Sequence, residues 1–281
     1  MKRPAVLVVG PLFDHALAAR LAGRFEMLEF VGGPPALAVA LLHTGAALVH
    51  LHGAARPLAC AAAAKLCGAA LLCQVEDAPP PAHRSVLAAL VDAFVVPSAA
   101  QADEYREALP RGLVVQISPG IDCAPFRRIN RAPFSADTPL RLVHLGRLER
   151  DAGLPEMIEA LRLVREQGIA ARLVLAGSGP EEPRLRHQIA DAALSRDVVF
   201  AGDVEGEQRA RLLSQSDVLL LPAYRAGVPR ELLEAMAAGV VPVASAVGGI
   251  PEVVVAREHG ALAEPRDARA IAAALARLAG D

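Results

Sequence analysis

The sequence has no surplus of positive charge. Its 29 Lys and Arg face 31 Asp and Glu, for a net charge of −2, and the basic residues are spread along the chain. The electrostatic footprint of a nucleic-acid binder is therefore missing, and nucleic acid is not an expected partner. Cysteine is scarce too. Cys60, Cys67, Cys73 and Cys123 form no C-x-x-C pair, which argues against a zinc site or thioredoxin-like chemistry and for reduced, buried thiols in a cytoplasmic protein. No uncharged apolar run approaches the ~20 residues that a membrane-spanning helix needs. The longest candidate, residues 57–75, contains Lys65 and ends like a strand in LLCQV. At the N-terminus, MKRPAVLVVGPLFDHALAARL begins basic and apolar, but Gly10, Pro11, Asp14 and His15 interrupt it. A first strand is expected there instead of a signal peptide.

What the sequence does have is apolar content, 53% over 281 residues, enough for a sizeable core in two ordinary domains or one large one. Short runs of Val, Leu and Ile alternate with longer alanine-rich stretches of helical spacing, the rhythm of parallel sheets with crossover helices. Strands are expected at 5–10, 27–31, 48–52, 70–75, 93–97 and 113–117. Between 119 and 139 the rhythm lapses into prolines, a glycine and arginines without a period, which suggests a linker. It restarts with strands at 141–145, 172–176, 198–201, 218–221 and 241–245. The expected architecture is α/β: two Rossmann-like, doubly wound domains, 1–120 and 140–281, joined by a linker at 121–139, with a ligand in a cleft beyond the strand C-termini. A last helix at 268–278 is apolar nearly all round and should pack against protein. The two halves share their rhythm but no sequence repeat.

His50 and His52 stand two apart on an expected strand and so on one face. No carboxylate or third His lies near them in sequence, so a strand end is the expected reading and no metal site is assigned.

Six segments in order carry a resemblance: ISPGIDCAPF, LVHLGRLERDAGL, VLAGSGPE, VVFAGDV, DVLLLPAYRAGVPRELLEAMAAGVVPVASAVGGIPEVV and HGALAEP. From about Ile117 to Pro265 the chain resembles the retaining, GT-B-fold sugar transferases of glycosyltransferase family 4, also grouped as glycosyl transferases group 1. The first half fits that family only loosely. The resemblance implies a nucleotide diphosphate sugar, such as a UDP- or GDP-sugar, as donor substrate. It implies no cofactor and no metal, and a glycan, lipid-linked or small-molecule acceptor held by the first domain. It also implies a cytoplasmic protein that touches the inner face of a membrane, although no strongly basic amphipathic helix supports that contact.

The residues fit a diphosphate site. Gly227 and Val228 precede Pro229, a residue suited to the first position of a helix expected to run from 229 to 238. The free amides and partial positive charge of a helix N-terminus would hold the diphosphate. Arg147, after Gly146 at the end of a strand, would add a bidentate contact to phosphate oxygens. Glu234 would accept hydrogen bonds from the ribose hydroxyls, as the second Glu of the family's pair. The plain alternative is a solvated helix residue at 234 and a surface ion pair at 147. As the family places them, the loop with Gly177 and Ser178, and the backbone at Phe200, Gly202 and Val204, would approach the base. Gly10, at the end of the first strand, would line the substrate site.

Three positions depart from the family pattern. Ala152 stands where Lys is usual, Ala226 where the first Glu of the pair is usual, and Glu76 where a His commonly follows the fourth strand. Retaining transfer breaks the bond between sugar and diphosphate, so charge builds on the leaving phosphate. Loss of one preorganised charge donor there costs about a hundredfold to a thousandfold in rate. The missing Glu would have oriented sugar hydroxyls. Members of the family usually continue past the last helix with a segment that returns to the first domain, and this chain stops at Asp281, so weaker domain closure is expected. Three functions remain open at this point: a hexose transferase, a non-catalytic nucleotide-sugar-binding or scaffold protein of the same fold, and a sugar-nucleotide epimerase using carboxylates such as Glu76 and Asp77.

Overall fold

In a computed structural model the Val, Leu and Ile runs become the strands of two all-parallel sheets. The residues described are 5–9, 26–30, 34–52, 57–75, 84–110, 112–127 and 138–280. The chain divides into two compact units, Met1–Ser118 and Pro119–Asp281.

The first unit holds β1 (Ala5–Val9), β2 (Glu26–Phe30), α1 (Pro34–Thr44), β3 (Leu48–His52), α2 (Pro57–Leu66), β4 (Ala70–Gln74), α3 (Arg84–Leu90), β5 (Ala93–Val96), α4 (Ala99–Ala108) and β6 (Val114–Gln116). The strand order is β2-β1-β3-β4-β5-β6. Leu7, Val49, Leu51, Leu71 and Val96 fill its core with Leu37 of α1 and Ala61 and Ala64 of α2. Phe94 and Tyr105 meet there with ring centroids 5.6 Å apart, a separation at which aromatic pairs attract. The long apolar stretch at 57–75 breaks at Gly68, whose φ of +73° is the left-handed turn that ends α2 and lets β4 begin. Among the described residues no helix is long and apolar enough to cross a membrane.

The second unit holds α5 (Ala124–Arg127), β7 (Leu140–Leu145), α6 (Leu154–Glu166), β8 (Ala171–Ala176), α7 (Glu182–Asp191), β9 (Val198–Gly202), α8 (Gly206–Ser214), β10 (Val218–Leu221), α9 (Arg230–Ala237), β11 (Val241–Ser245), α10 (Ile250–Val253), β12 (Ala261–Ala263) and α11 (Ala268–Gly280). The strand order is β12-β11-β10-β7-β8-β9. Both faces are covered, as a parallel sheet requires, and this explains strands that are apolar throughout instead of alternating. Leu140 and Leu142 face α6 and α11, with Met157, Ile158, Leu161, Ile271 and Leu275. Val143 and Leu145 face the other way, with Leu213 of α8 and Leu232 and Ala235 of α9. At the N-terminal edge, Asp217 is buried and accepts from Arg141 Nη2 at 2.6 Å and Nε at 2.9 Å. That bidentate pair raises the guanidinium's pKa and ties β7 to β10.

Three strands have the expected bounds, 48–52, 218–221 and 241–245; the others shift by one residue at one end or both. β12 is an addition, because three residues of Ala-Leu-Ala carry no β-branched signal. The linker expected at 121–139 contains α5, whose Phe126 packs against the α9 face of the second sheet. The last helix is less uniform than its composition, with Ile271, Ala272, Ala274 and Leu275 buried and Arg269 and Arg277 exposed.

Candidate functional site

β7 is the first strand of its sheet in sequence, yet it lies between β8 and β10. The chain therefore runs outward in one direction to β9 and returns to β10 on β7's other side. That reversal is the topological switch point at which open α/β sheets bind ligands. Here it sits at the C-terminal ends of β7 and β10, where five loops are joined in the order of the strands.

The joining depends on missing side chains. A Cβ on Gly177 would lie 1.8 Å from the Gly146 carbonyl oxygen, and one on Gly179 2.3 Å from that of Leu148. These two glycines bring the loop after β8 onto the loop after β7, where the Leu148 amide donates to the Ser178 carbonyl at 2.9 Å. Across the switch point Gly153 has φ +67°, and a Cβ there would lie 1.8 Å from the Pro222 carbonyl oxygen. Beside it the Tyr224 amide donates to the Asp151 carbonyl at 2.8 Å, and the Tyr224 hydroxyl donates to Glu156 Oε2 at 2.7 Å. Arg266 covers the Tyr224 ring 4.6 Å from its centroid. Burial, then the Glu156 carboxylate, push the Tyr224 pKa up to about 12. Arg225 pairs with Asp151 at 3.2 Å. On the far side Gly248, φ +51°, would place a Cβ 1.7 Å from the Ala226 carbonyl oxygen, and the Gly249 amide donates to Gly227.

Most residues singled out from the sequence fall on this rim. Gly146, with φ +136°, ends β7, and Arg147 follows it with a side chain 78% exposed and its Nε 2.6 Å from Glu149. The surface ion pair raised as the plain alternative is therefore what Arg147 makes here. Ala152 closes a 3-10 turn, Arg150–Ala152, and packs against the core beneath α6. Ser178 donates to Asp203 at 2.8 Å, joining the loops after β8 and β9. Val204 packs toward the α9 face. Gly202, φ +67°, lies at the end of β9. Phe200 stands apart from the other rim residues, with a ring that packs on the core and carries Arg186 3.9 Å from its centroid. Gly10 and Glu76 lie outside the described residues, as does Asp77.

Helix α9 begins one residue later than expected. Pro229 has a helical φ of −66° but an extended ψ of 135°, so it caps the helix and Arg230 is the first helical residue. The Pro229 carbonyl accepts from Leu232 at 3.2 Å. Gly227 and Val228 therefore stand just ahead of the cap, within reach of the free first-turn amides. Glu234, one turn in, is not a solvated helix residue; its side chain is 6% exposed. Arg230 Nε donates to its Oε1 at 2.8 Å. Arg209 Nε, on α8, lies 2.6 Å from its Oε2, an ion pair that lacks hydrogen-bond alignment.

Sequence reasoning missed Arg209, Arg230, Asp203 and the Tyr224 network. Arg230 could have been found, since a basic residue four before a Glu on a helix is a local pair. Arg209 belongs to another helix and has no such signal. Under the rim, His144 is buried with its Nδ1 3.0 Å from the Leu220 carbonyl. An oxygen that only accepts makes Nδ1 the protonated nitrogen. Burial lowers this histidine's pKa, and its Nε2, like the Ser245 hydroxyl, has no hydrogen-bond partner. No three His, Cys, Asp or Glu side chains converge on a metal site among the described residues.

Residues 126–281 match the family model for glycosyl transferases group 1. The amylovoran biosynthesis glycosyltransferase AmsK of Erwinia amylovora is 38% identical over 146 residues, 50% of this chain and 36% of that protein. The glycogen synthase of Mycobacterium tuberculosis is 32% identical over 186 residues, 66% of this chain and 44% of that one. The chain thus spans less than half the length of these curated relatives. Among solved structures, HepE of Anabaena, in complex with UDP and glucose, shares the fold with a TM-score of 0.78 at 18% identity, covering 99% of this chain and 90% of HepE. Two parallel-sheet α/β units match GT-B glycosyltransferase structures, and the family model covers more than half of the sequence. The chain belongs to the glycosyl transferases group 1 family.

Proposed function

We propose that the chain carries the donor site of a retaining glycosyltransferase, which moves a hexose from a nucleotide diphosphate sugar to a glycan, lipid-linked or small-molecule acceptor. The observation that carries this reading is the rim at the β7–β10 switch point, where the N-terminus of α9 and the buried carboxylate of Glu234 belong to one helix. A nucleoside diphosphate has two features to match them. Its diphosphate suits the free amides at Gly227, Val228 and the first turn, with Arg147 adding a fork of donors. Its ribose hydroxyls suit a carboxylate acceptor. In the transfer, the bond from the sugar's anomeric carbon to the diphosphate oxygen breaks. The acceptor oxygen bonds to that carbon from the same face, and its proton passes to the departing diphosphate oxygen. Charge left on the phosphate is met by the helix and the guanidinium, so the chemistry has no need of a metal. HepE binds UDP and glucose, which supports UDP as a first nucleotide to test. Four free cysteines support a cytoplasmic setting.

A second reading, nucleotide-sugar binding without turnover, is favoured by Ala152 and Ala226. Neither contributes charge at the switch point, and both pack against core clusters. Titration calorimetry with UDP, GDP and ADP tests the donor site itself. Binding of none of them at millimolar concentration removes both readings. Donor hydrolysis or transfer by the unaltered chain selects the first. Binding without turnover, unchanged in the Ala152→Lys, Ala226→Glu double variant, selects the second.

A further inference from the structure

Glu234 is held at both oxygens, by two arginines in unlike settings. Arg209 reaches the buried Oε2 from α8 with a side chain 22% exposed, and its second nitrogen lies 3.6 Å from Glu231. Glu231 and Glu234 are three apart on α9 and so share a face, which seats the guanidinium against two carboxylates. Arg230 reaches Oε1 from the same helix, four residues earlier, with a side chain 64% exposed. The carboxylate is the same buried one in both pairs, and the arginines differ. Arg230 has its side chain mostly in water, where its own desolvation adds little to hold it. Arg209 is largely buried beside Oε2 and would leave that oxygen without a counter-charge if it moved.

We propose that the two arginines divide the work at Glu234, an inference that rests on the donor-site reading above. Arg209 is a positioning residue that keeps the carboxylate in place and neutralised. Arg230 is a displaceable occupant of Oε1, the oxygen held by the exposed guanidinium. Ribose hydroxyls replace it there, and because Arg209 stays, Glu234 keeps a counter-charge during the exchange. The freed Arg230 guanidinium sits on the first residue of α9, beside the amides assigned to the diphosphate, and moves onto the phosphate oxygens. It thereby supplies a cation in a site where position 152 is Ala. The empty site is therefore self-occupied, and nucleoside and diphosphate bind in a coupled way: the ribose releases the group that the phosphates use.

Calorimetry on the full chain separates these roles, using UDP, GDP and ADP, their parent nucleosides and their 2′-deoxy diphosphates. Arg230→Met, an exposed change that the fold tolerates, should bind the nucleoside more tightly. It should also lower the ratio of diphosphate to nucleoside affinity about tenfold, the effect of one charge-assisted contact. Arg209→Met should bring the affinities for the ribose and deoxyribose diphosphates together, and Arg209→Lys should restore part of the difference. An Arg230→Met protein with an unchanged ratio, or with weaker nucleoside binding, overturns the proposal. So does an Arg209 variant that weakens both sugars equally. Melting temperatures identify an Arg209 variant that fails to fold, in which case the Arg230 result decides. If the unaltered chain binds none of the three diphosphates, it is the donor-site reading that fails.

Discussion

Replacing Gly153 by Ala should cost the second unit far more than the same change at Gly168, although both glycines flank α6 and both have left-handed backbones, φ +67° and +80°. An alanine in that conformation costs roughly 1–2 kcal/mol, offset by roughly 0.4–1 kcal/mol from a less flexible unfolded chain. At Gly168 nothing lies within 4 Å of the new Cβ, so the net loss should stay near ~1 kcal/mol. At Gly153 the Cβ falls 1.8 Å from the Pro222 carbonyl oxygen, when real Cβ contacts essentially never fall under 3.0 Å. The obstacle is backbone, so the loop after β10 has to move. Two residues on, that loop holds the 2.8 Å bond from the Tyr224 amide to Asp151 and the 2.7 Å bond from its hydroxyl to Glu156. A neutral bond is worth about 1 kcal/mol and one to a charged group about 1.5–3 kcal/mol, less here because Tyr224 is only half-buried. The expected loss for Gly153→Ala is therefore about 3 kcal/mol, some 2 kcal/mol beyond Gly168→Ala. Urea unfolding followed by far-UV circular dichroism reads both, since the chain has no tryptophan to report by fluorescence. Equal losses for the two variants, within ~0.5 kcal/mol, would refute the claim that the loops touch at this point.

Arg147→Ala should change stability by less than ~0.5 kcal/mol, because its pair with Glu149 is exposed on both sides. It should still weaken nucleoside diphosphate binding about tenfold with nucleoside binding unchanged, by calorimetry. His144 has a pKa lowered by burial from 6.5, so the unfolded chain takes up its proton first. The neutral ring's contribution is whole above pH 6.5 and declines as pH falls from there toward the folded-state pKa, with a slope of up to ~1.4 kcal/mol per pH unit. The stability difference between the unaltered chain and His144→Leu, from urea titrations between about pH 8 and pH 5, should shrink toward acid; a constant difference would contradict the assignment. Cys60 and Cys73 are buried with raised pKa values, Cys73 up to about 11, so thiol reagents should label Cys67 and Cys123 first in the folded protein. Mass spectrometry of a brief labelling reads this directly.

How much of this could be read in advance follows from how far each signal reaches along the chain. Strands such as 218–221, Val-Leu-Leu-Leu, announce themselves because a parallel strand covered on both faces has to be apolar throughout. The end of β7, the glycines at 146 and 177 and the helix behind Pro229 were legible for a similar reason, each being a local rule of turns and caps. What was not legible are the agreements between loops. Gly153 looks like an ordinary helix-preceding glycine until Pro222, sixty-nine positions on, is found occupying the space of its absent side chain. Glu234 is legible as a candidate acceptor, but its burial and its partner Arg209, which reaches it from a different helix, are not. Its burial then changes the chemistry, because a carboxylate withdrawn from water and held by one fixed and one exchangeable guanidinium is an acceptor ready for hydroxyls. The same reasoning applies to the two alanines. Ala152 and Ala226 carry no charge themselves, and the rim beside them pairs Arg225 with Asp151 and Arg230 with Glu234. The charges at the switch point are balanced pair by pair, by Asp151 and Arg225 next to the two alanines and by Arg230 and Glu234 on α9.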